Sequence, residues 1–229
     1  MTSELLYQFG NTDGGDETGF NDAVKTAFDR DIPITIARES IQNIIDARLD
    51  KSRPVLAELS LLSISANEIP QVEQLKKILQ ACKEYYPQNR NCVQFYERAL
   101  TYLDTEKNIN ILKIADYNTT GLSGDDEDTE GNYYTFLKSV GASSKSGEKG
   151  GSFGLGKGSY FAASLFNTIY VSSLYGENKH IFQGKLRLVS HRLDGKVKQG
   201  NGSFGLLIIR DTSCFPKNKP LNSVTIDIR

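Results

Sequence analysis

Apolar positions along the chain change period several times, and each change marks an element. Residues 5–9 are a short apolar run, closed by the Gly/Asn/Asp-rich loop 10–16. Phe20, Val24, Ala27 and Phe28 have helical spacing, with Asn21 or Asp22 as a cap. A second helix enters near Pro33 or Thr35, runs to about Leu49 and is ended by residues 51–54. Residues 55–65 (VLAELSLLSIS) read as a strand. Two amphipathic helices follow at 70–85 and 91–103, the first repeating Val72, Leu75, Ile78, Leu79 and Cys82. Residues 109–115 (INILKIA) are a strong strand, 132–140 a short helix and 159–165 a helix after glycines. Strands are predicted at 168–174, 181–190, 205–209 and 224–228, the middle pair joined by the turn-rich segment 194–202. Mixed helices and strands ending in a run of strands predict an α+β fold, a sandwich with a mixed, mostly antiparallel sheet under helices. The helices at about 66–108 then read as an insertion in one domain spanning 1–229.

The helix near residue 40 is the most informative stretch. It carries Arg38-Glu39-Ser40-Ile41-Gln42-Asn43-Ile44-Ile45-Asp46-Ala47. Glu39, Asn43 and Asp46 fall at i, i+4 and i+7, on one face. Ala37, Ile41, Ile44 and Ile45 are expected to lie on the core. A carboxylate, an amide and a second carboxylate in a row offer a base, a neutral metal ligand and a hydrogen-bond acceptor. The same triplet also suits the wet side of an ordinary surface helix.

Two loops add to it. The strand at 109–115 delivers Asp116 to its C-terminal end, ahead of the small residues of Asn118-Thr119-Thr120-Gly121-Leu122. A carboxylate there suits an adenine amino group, and it suits an Asp-initiated turn equally. Further on, Gly150-Gly151-Ser152-Phe153-Gly154-Leu155-Gly156-Lys157-Gly158-Ser159 runs into a helix. Glycines let backbone N–H groups approach phosphate oxygens, and a helix N-terminus favours negative charge. The stretch is neither GxxxxGK[ST], because Gly158 follows Lys157, nor G-x-G-x-x-G, because the third glycine comes one residue early.

Composition narrows the classes. Lys plus Arg (27) nearly balances Asp plus Glu (28), so no global basic field argues for nucleic acid. Three cysteines without CxxC spacing and two distant histidines make a zinc site and a disulfide framework poor readings, and a reducing cytoplasmic setting is expected. No apolar run approaches the ~20 residues of a membrane span, and Met1-Thr2-Ser3-Glu4 does not open a signal peptide.

In order, the chain carries E-x-x-x-N-x-x-D-A on a helix, D-x-N-T-T-G-L after a strand, and G-S-F-G-L-G-K-G-S into a helix. This set resembles the nucleotide site of the GHKL ATPase superfamily: DNA gyrase, the ATP-dependent heat-shock chaperone, sensor histidine kinases, mismatch-repair MutL and the MORC proteins. The nearest likeness is to prokaryotic MORC-like or stand-alone ATP-binding proteins. The resemblance implies a Bergerat-type sandwich, ATP with Mg²⁺, and slow hydrolysis coupled to lid closure. Glu39 is then the general base and Asn43 the Mg²⁺ ligand, while Asp46 and Ala47 support the adenine side. Asp116 accepts the adenine N–H, and Gly121 and Leu122 line the base. Gly151, Ser152, Phe153, Gly154, Leu155, Gly156, Lys157 and Gly158 wrap the phosphates, with Ser159 opening the helix behind them. The lid spans about 123–157.

The chain departs from the family's D-x-G-x-G, since Asn118 stands at the first glycine and Gly121 comes one residue late. Gly202-Ser203 and Thr225 are candidates for the family's late Gly-Thr motif. The implied partners are ATP or ADP, a second copy in an ATP-dependent homodimer, and a protein or DNA client reached through further domains of a longer protein, with no membrane. Two other readings are a histidine-kinase-like phosphotransferase and a non-catalytic nucleotide-sensing module.

Overall fold

A computed structural model of the protein describes residues 5–20, 31–124, 128, 131–138, 156–176, 179–205 and 222–227. Within these residues eight strands form one antiparallel sheet: β1 (Leu6–Asn11), β2 (Leu56–Ser65), β3 (Asn108–Tyr117), β4 (Thr168–Tyr175), β5 (Lys179–Arg187), β6 (His191–Leu193), β7 (Lys196–Gly205) and β8 (Asn222–Asp227). The spatial order is β1-β7-β5-β4-β8-β3-β2, with β6 paired to β7 beside this path. Five helices accompany the described part of the sheet: α1 (Ile32–Asp46), α2 (Val72–Tyr85), α3 (Arg90–Thr105), α4 (Asn132–Leu137) and α5 (Gly156–Ala163). The class is therefore α+β.

The strands are apolar on both faces, so both faces need cover. Ile109 and Ile111 of β3 join the core under α2 and α3, with Leu75, Ile78, Leu79, Tyr96, Leu103 and Phe204. Ile114 joins a second core, with Ile36 of α1, Tyr133 of α4, and Tyr160 and Phe161 of α5. The helix pair read as an insertion thus supplies one of the two helical layers, where the expected sandwich had its helices on one side. Cys82 and Cys92 are fully buried there as small apolar residues.

Several boundaries differ from expectation. The segment 194–202 is mostly strand, and β7 ends at Gly205, where a strand was expected to begin. Its glycines mark close approach rather than a loop: a Cβ on Gly200 would stand 2.4 Å from the Leu188 carbonyl oxygen, and one on Gly202 2.3 Å from the Phe9 ring. The turn is Asp194-Gly195 alone, both at positive φ (50° and 75°). Strand β5 lies earlier than 181–190, because Asn167 and Gly200 take up the backbone of Arg187 and Leu188. The helix predicted at 20–28, most of the lid, and residues 206–209 lie outside the described residues.

No helix among the described residues is long and apolar enough to cross a membrane.

Candidate functional site

Helix α1 buries a narrower stripe than its sequence suggests. Ile36, Ser40 and Ile44, at i, i+4 and i+8, are its buried residues, with Pro33 in the first turn. Ile41 and Ile45 were expected on the core and are instead 47% and 54% exposed. The reason is the partner surface. α1 packs toward α5, and Ser40 meets the Tyr160 phenol there, so a hydroxyl pair occupies a place an isoleucine would have filled.

Tyr160 is the centre of the arrangement. It is 3% exposed, and its hydroxyl lies 3.0 Å from Ser40 Oγ. The Asn43 side chain also hydrogen-bonds to it. Burial raises the phenol above its ordinary value. The Ser40 and Asn43 hydrogen bonds act in the opposite direction, and the Glu39 and Asp116 carboxylates push it further up. One phenol on α5 therefore senses Glu39 and Asn43 on α1 and Asp116 at the end of β3. Sequence reading passed over Tyr160 and Ser40. The signal was present: a tyrosine in the apolar run Tyr160-Phe161-Ala162-Ala163 needs a polar partner once buried.

Around this centre the expected residues take distinct places. Glu39 is partly exposed, with Arg38 at 3.9 Å. Asn43 and Asp46 are exposed, and Gln42 Nε2 donates to both Asp46 oxygens at 3.1 Å. Asp116 is half-buried and accepts from the buried Thr119 hydroxyl, a side-chain contact rather than the backbone bond of an Asp-initiated turn.

The end of α1 is stitched to the loop after β3. Thr120 N–H donates to Ala47 O at 2.8 Å, and Leu49 N–H to Asn118 O at 2.9 Å. The Asn118 side chain accepts from Asp50 N–H and donates to the carbonyls of Asp50, Arg53 and Pro54, each at 3.1 Å. Asn118 adopts φ 60°, the left-handed conformation that glycine would supply and asparagine tolerates. Gly121 is at φ 66°, and a Cβ there would stand 2.5 Å from Leu174 O. Leu122 N–H donates to Ser173 Oγ at 2.7 Å and its side chain packs on the second core.

The glycine stretch divides. Gly151, Ser152, Phe153, Gly154 and Leu155 lie outside the described residues. Gly156, Lys157 and Gly158 belong to α5 itself, which starts three residues before Ser159. They do not form a separate loop, a correction to the expected boundary. Glycines are tolerated in a first turn, where few intrahelical hydrogen bonds depend on them. Ser159 is fully buried. Lys157 Nζ donates to Thr135 O at 2.6 Å, and burial together with the nearby Arg187 guanidinium brings its pKa down to about 8.

Lys157 and Tyr160 also line a cavity of about 110 Å³ bordered by Lys138, Lys185, Arg187 and Asn201. Arg187 stacks on Phe161 at 4.4 Å. A wider surface groove at the α2–α3 turn, lined by residues 85–91, is remote in sequence and fold from these groups. Of the late-motif candidates, Gly202 is engaged by Phe9, and Thr225 lies on β8 opposite Lys113 and Tyr170.

No cluster of three or more His, Cys, Asp or Glu side chains suited to a metal occurs among the described residues. No family model, no curated protein and no solved structure matches the chain.

Proposed function

We propose that the protein binds ATP with Mg²⁺ and hydrolyses it slowly, as a nucleotide-binding domain of the GHKL type. The observation that carries this reading is the convergence on the Tyr160 hydroxyl. Ser40, Asn43 and Glu39 of α1 and Asp116 of β3 all act on one buried group. Residues of two motifs that resemble parts of an ATP site, more than seventy residues apart in sequence, thereby meet on the helix that follows the third.

The residues fit their proposed roles chemically. Asp116 offers a half-buried carboxylate to an adenine amino group, beside a backbone turn fixed by Asn118 and Gly121. Lys157, with Lys138, Lys185 and Arg187 across the adjoining cavity, supplies positive charge suited to a triphosphate. Asn43, an exposed amide beside Glu39, would hold Mg²⁺ as its one protein ligand, which matches an ion that keeps phosphate oxygens and water. When bound, that ion neutralises phosphate charge. Glu39 holds and orients the attacking water and takes its proton.

A phosphotransferase reading needs an acceptor histidine. His180 shares a hydrogen bond with Ser172 on β4, and His191 is fully buried, so neither lies on a helix. Glu39 on the same helix as Asn43 suits water as the attacking group, and hydrolysis is the better reading.

The test is Glu39→Ala. ATP binding should persist while phosphate release falls roughly 10²–10⁴-fold, the usual loss for a general base. Unchanged turnover would reject Glu39 in this role.

A further inference from the structure

The large hydrophobic side chains that stand exposed are not scattered. Among the described residues they are Ile34, Ile41 and Ile45 of α1, Leu49 just after it, four leucines of β2, and Tyr117, which pairs with Leu56 of β2. Such a concentration marks a contact surface rather than ordinary surface scatter.

β2 is the end strand of the described sheet. Its ten residues pair with β3 in unbroken register from Leu56↔Tyr117 to Ser65↔Asn108, without a bulge. Alternate residues therefore direct N–H and C=O away from β3. The devices that usually protect such an edge are missing, for β2 has no proline and no lysine. Its one charge, Glu58, is held by Lys113 at 3.3 Å and Tyr117 at 3.2 Å. Leu61 is 75% exposed, Leu56 60%, Leu59 47% and Leu62 42%.

The pairing with β3 fixes which leucines share a face. Leu59 and Leu61 lie opposite Ile114 and Leu112, on the α1 side, while Leu56 and Leu62 lie on the other. An occupant of this edge must therefore be an extended strand with apolar residues on both faces. β2 is itself such a strand.

We infer that β2 joins β2 of a second copy in antiparallel pairing, so that the two sheets become one across a two-fold axis at Leu59. Antiparallel pairing about such an axis keeps each face on its own side, so only residues of the same face can stand opposite each other. With Leu59 opposite Leu59, Leu56 faces the partner copy's Leu62 and Ala57 its Leu61, each twice, while Glu58 faces Ser60. Moving the axis to Ser60 puts Glu58 against Leu62, and moving it to Glu58 sets two carboxylates opposite each other. The Leu59-centred register is thus the one that pairs the exposed leucines with apolar partners.

This inference does not rest on nucleotide binding, and its test is run without nucleotide on the whole chain. Sedimentation velocity across a hundredfold concentration range should give a monomer–dimer equilibrium. Leu61→Lys, at an exposed position, should weaken it at least tenfold with circular dichroism unchanged. Leu59→Cys should link into a covalent dimer under mild oxidation, because residues opposite one another in an antiparallel pair stand within disulfide reach. Thr101→Cys on the outer side of α3 should not. A monomer at every concentration would overturn the inference. So would a dimer indifferent to Leu61→Lys whose Leu59→Cys form fails to link.

Discussion

The Tyr160 hydroxyl and Ser40 Oγ stand 3.0 Å apart in the buried seam between α5 and α1, with both residues almost wholly shielded from water. That contact joins the helix carrying Glu39 and Asn43 to the helix carrying Lys157. Replacing Tyr160 with Phe keeps the ring and removes the hydroxyl, leaving Ser40 buried without this partner. The expected loss is about 1–3 kcal/mol of stability in urea unfolding, the usual cost of stranding a buried polar group. ATP affinity should fall as well, because Asn43 loses a contact that orients it. A variant as stable as the parent would show that the hydroxyl pair does not hold the seam.

His191 makes a separate prediction, about pH. It is fully buried, its Nδ1 donates to Val189 O at 3.0 Å, and its Nε2 has no partner among the described residues. Burial, with a smaller contribution from Lys198, holds the imidazole below its ordinary 6.5. The unfolded chain therefore takes up a proton first as pH falls. The contribution of neutral His191 is intact above about 6.5 and is lost as pH drops below that value toward the folded pKa. Melting temperature should decline between pH 7.5 and 5.5, and His191→Phe, which can keep the edge contact with Phe9, should flatten that decline. Equal slopes for the two proteins would contradict this.

Lys157 predicts the pH dependence of binding. Its pKa of about 8 means the ammonium is charged at neutrality and discharges through the mildly alkaline range. A phosphate beside it gains from that charge. ATP affinity should therefore weaken as pH rises from 7.5 to 9.5, by roughly tenfold or more if one charged hydrogen bond of about 1.5–3 kcal/mol is lost. Lys157→Met should bind more weakly at pH 7.5 and lose most of the pH dependence. A profile identical in both would place the phosphates elsewhere.

The sequence made some of this legible and hid the rest for physical reasons. α1 and its polar triplet could be read because helical spacing is strict, and β3 could be read because its apolar run is long and β-branched. β7 could not: Lys196-Val-Lys-Gln-Gly-Asn-Gly looks like a turn, and only the Phe9 ring and the Leu188 carbonyl explain its glycines. The exposed Ile41 and Ile45 were equally hidden, since periodicity cannot tell an apolar stripe on the core from one left for a partner. Gly121 shows the opposite case. Its displacement from the family pattern is matched by a backbone that needs glycine, at φ 66° against the Leu174 carbonyl. Tyr160 was missed because a phenol inside an apolar helix reads as core until its neighbours are known.

The central claim is that Asn43, Asp116 and Lys157 serve one adenine nucleotide. Titration calorimetry of ATP with Mg²⁺ into the protein tests it most directly, with Asp116→Asn and GTP as the comparisons. The account predicts saturable binding of one ATP per chain, at least tenfold weaker for Asp116→Asn, which removes the charged acceptor, and for GTP, which offers the carboxylate no amino group there, each a loss of about one to three kcal/mol. No saturable heat with ATP, or an affinity that Asp116→Asn leaves intact, would contradict it.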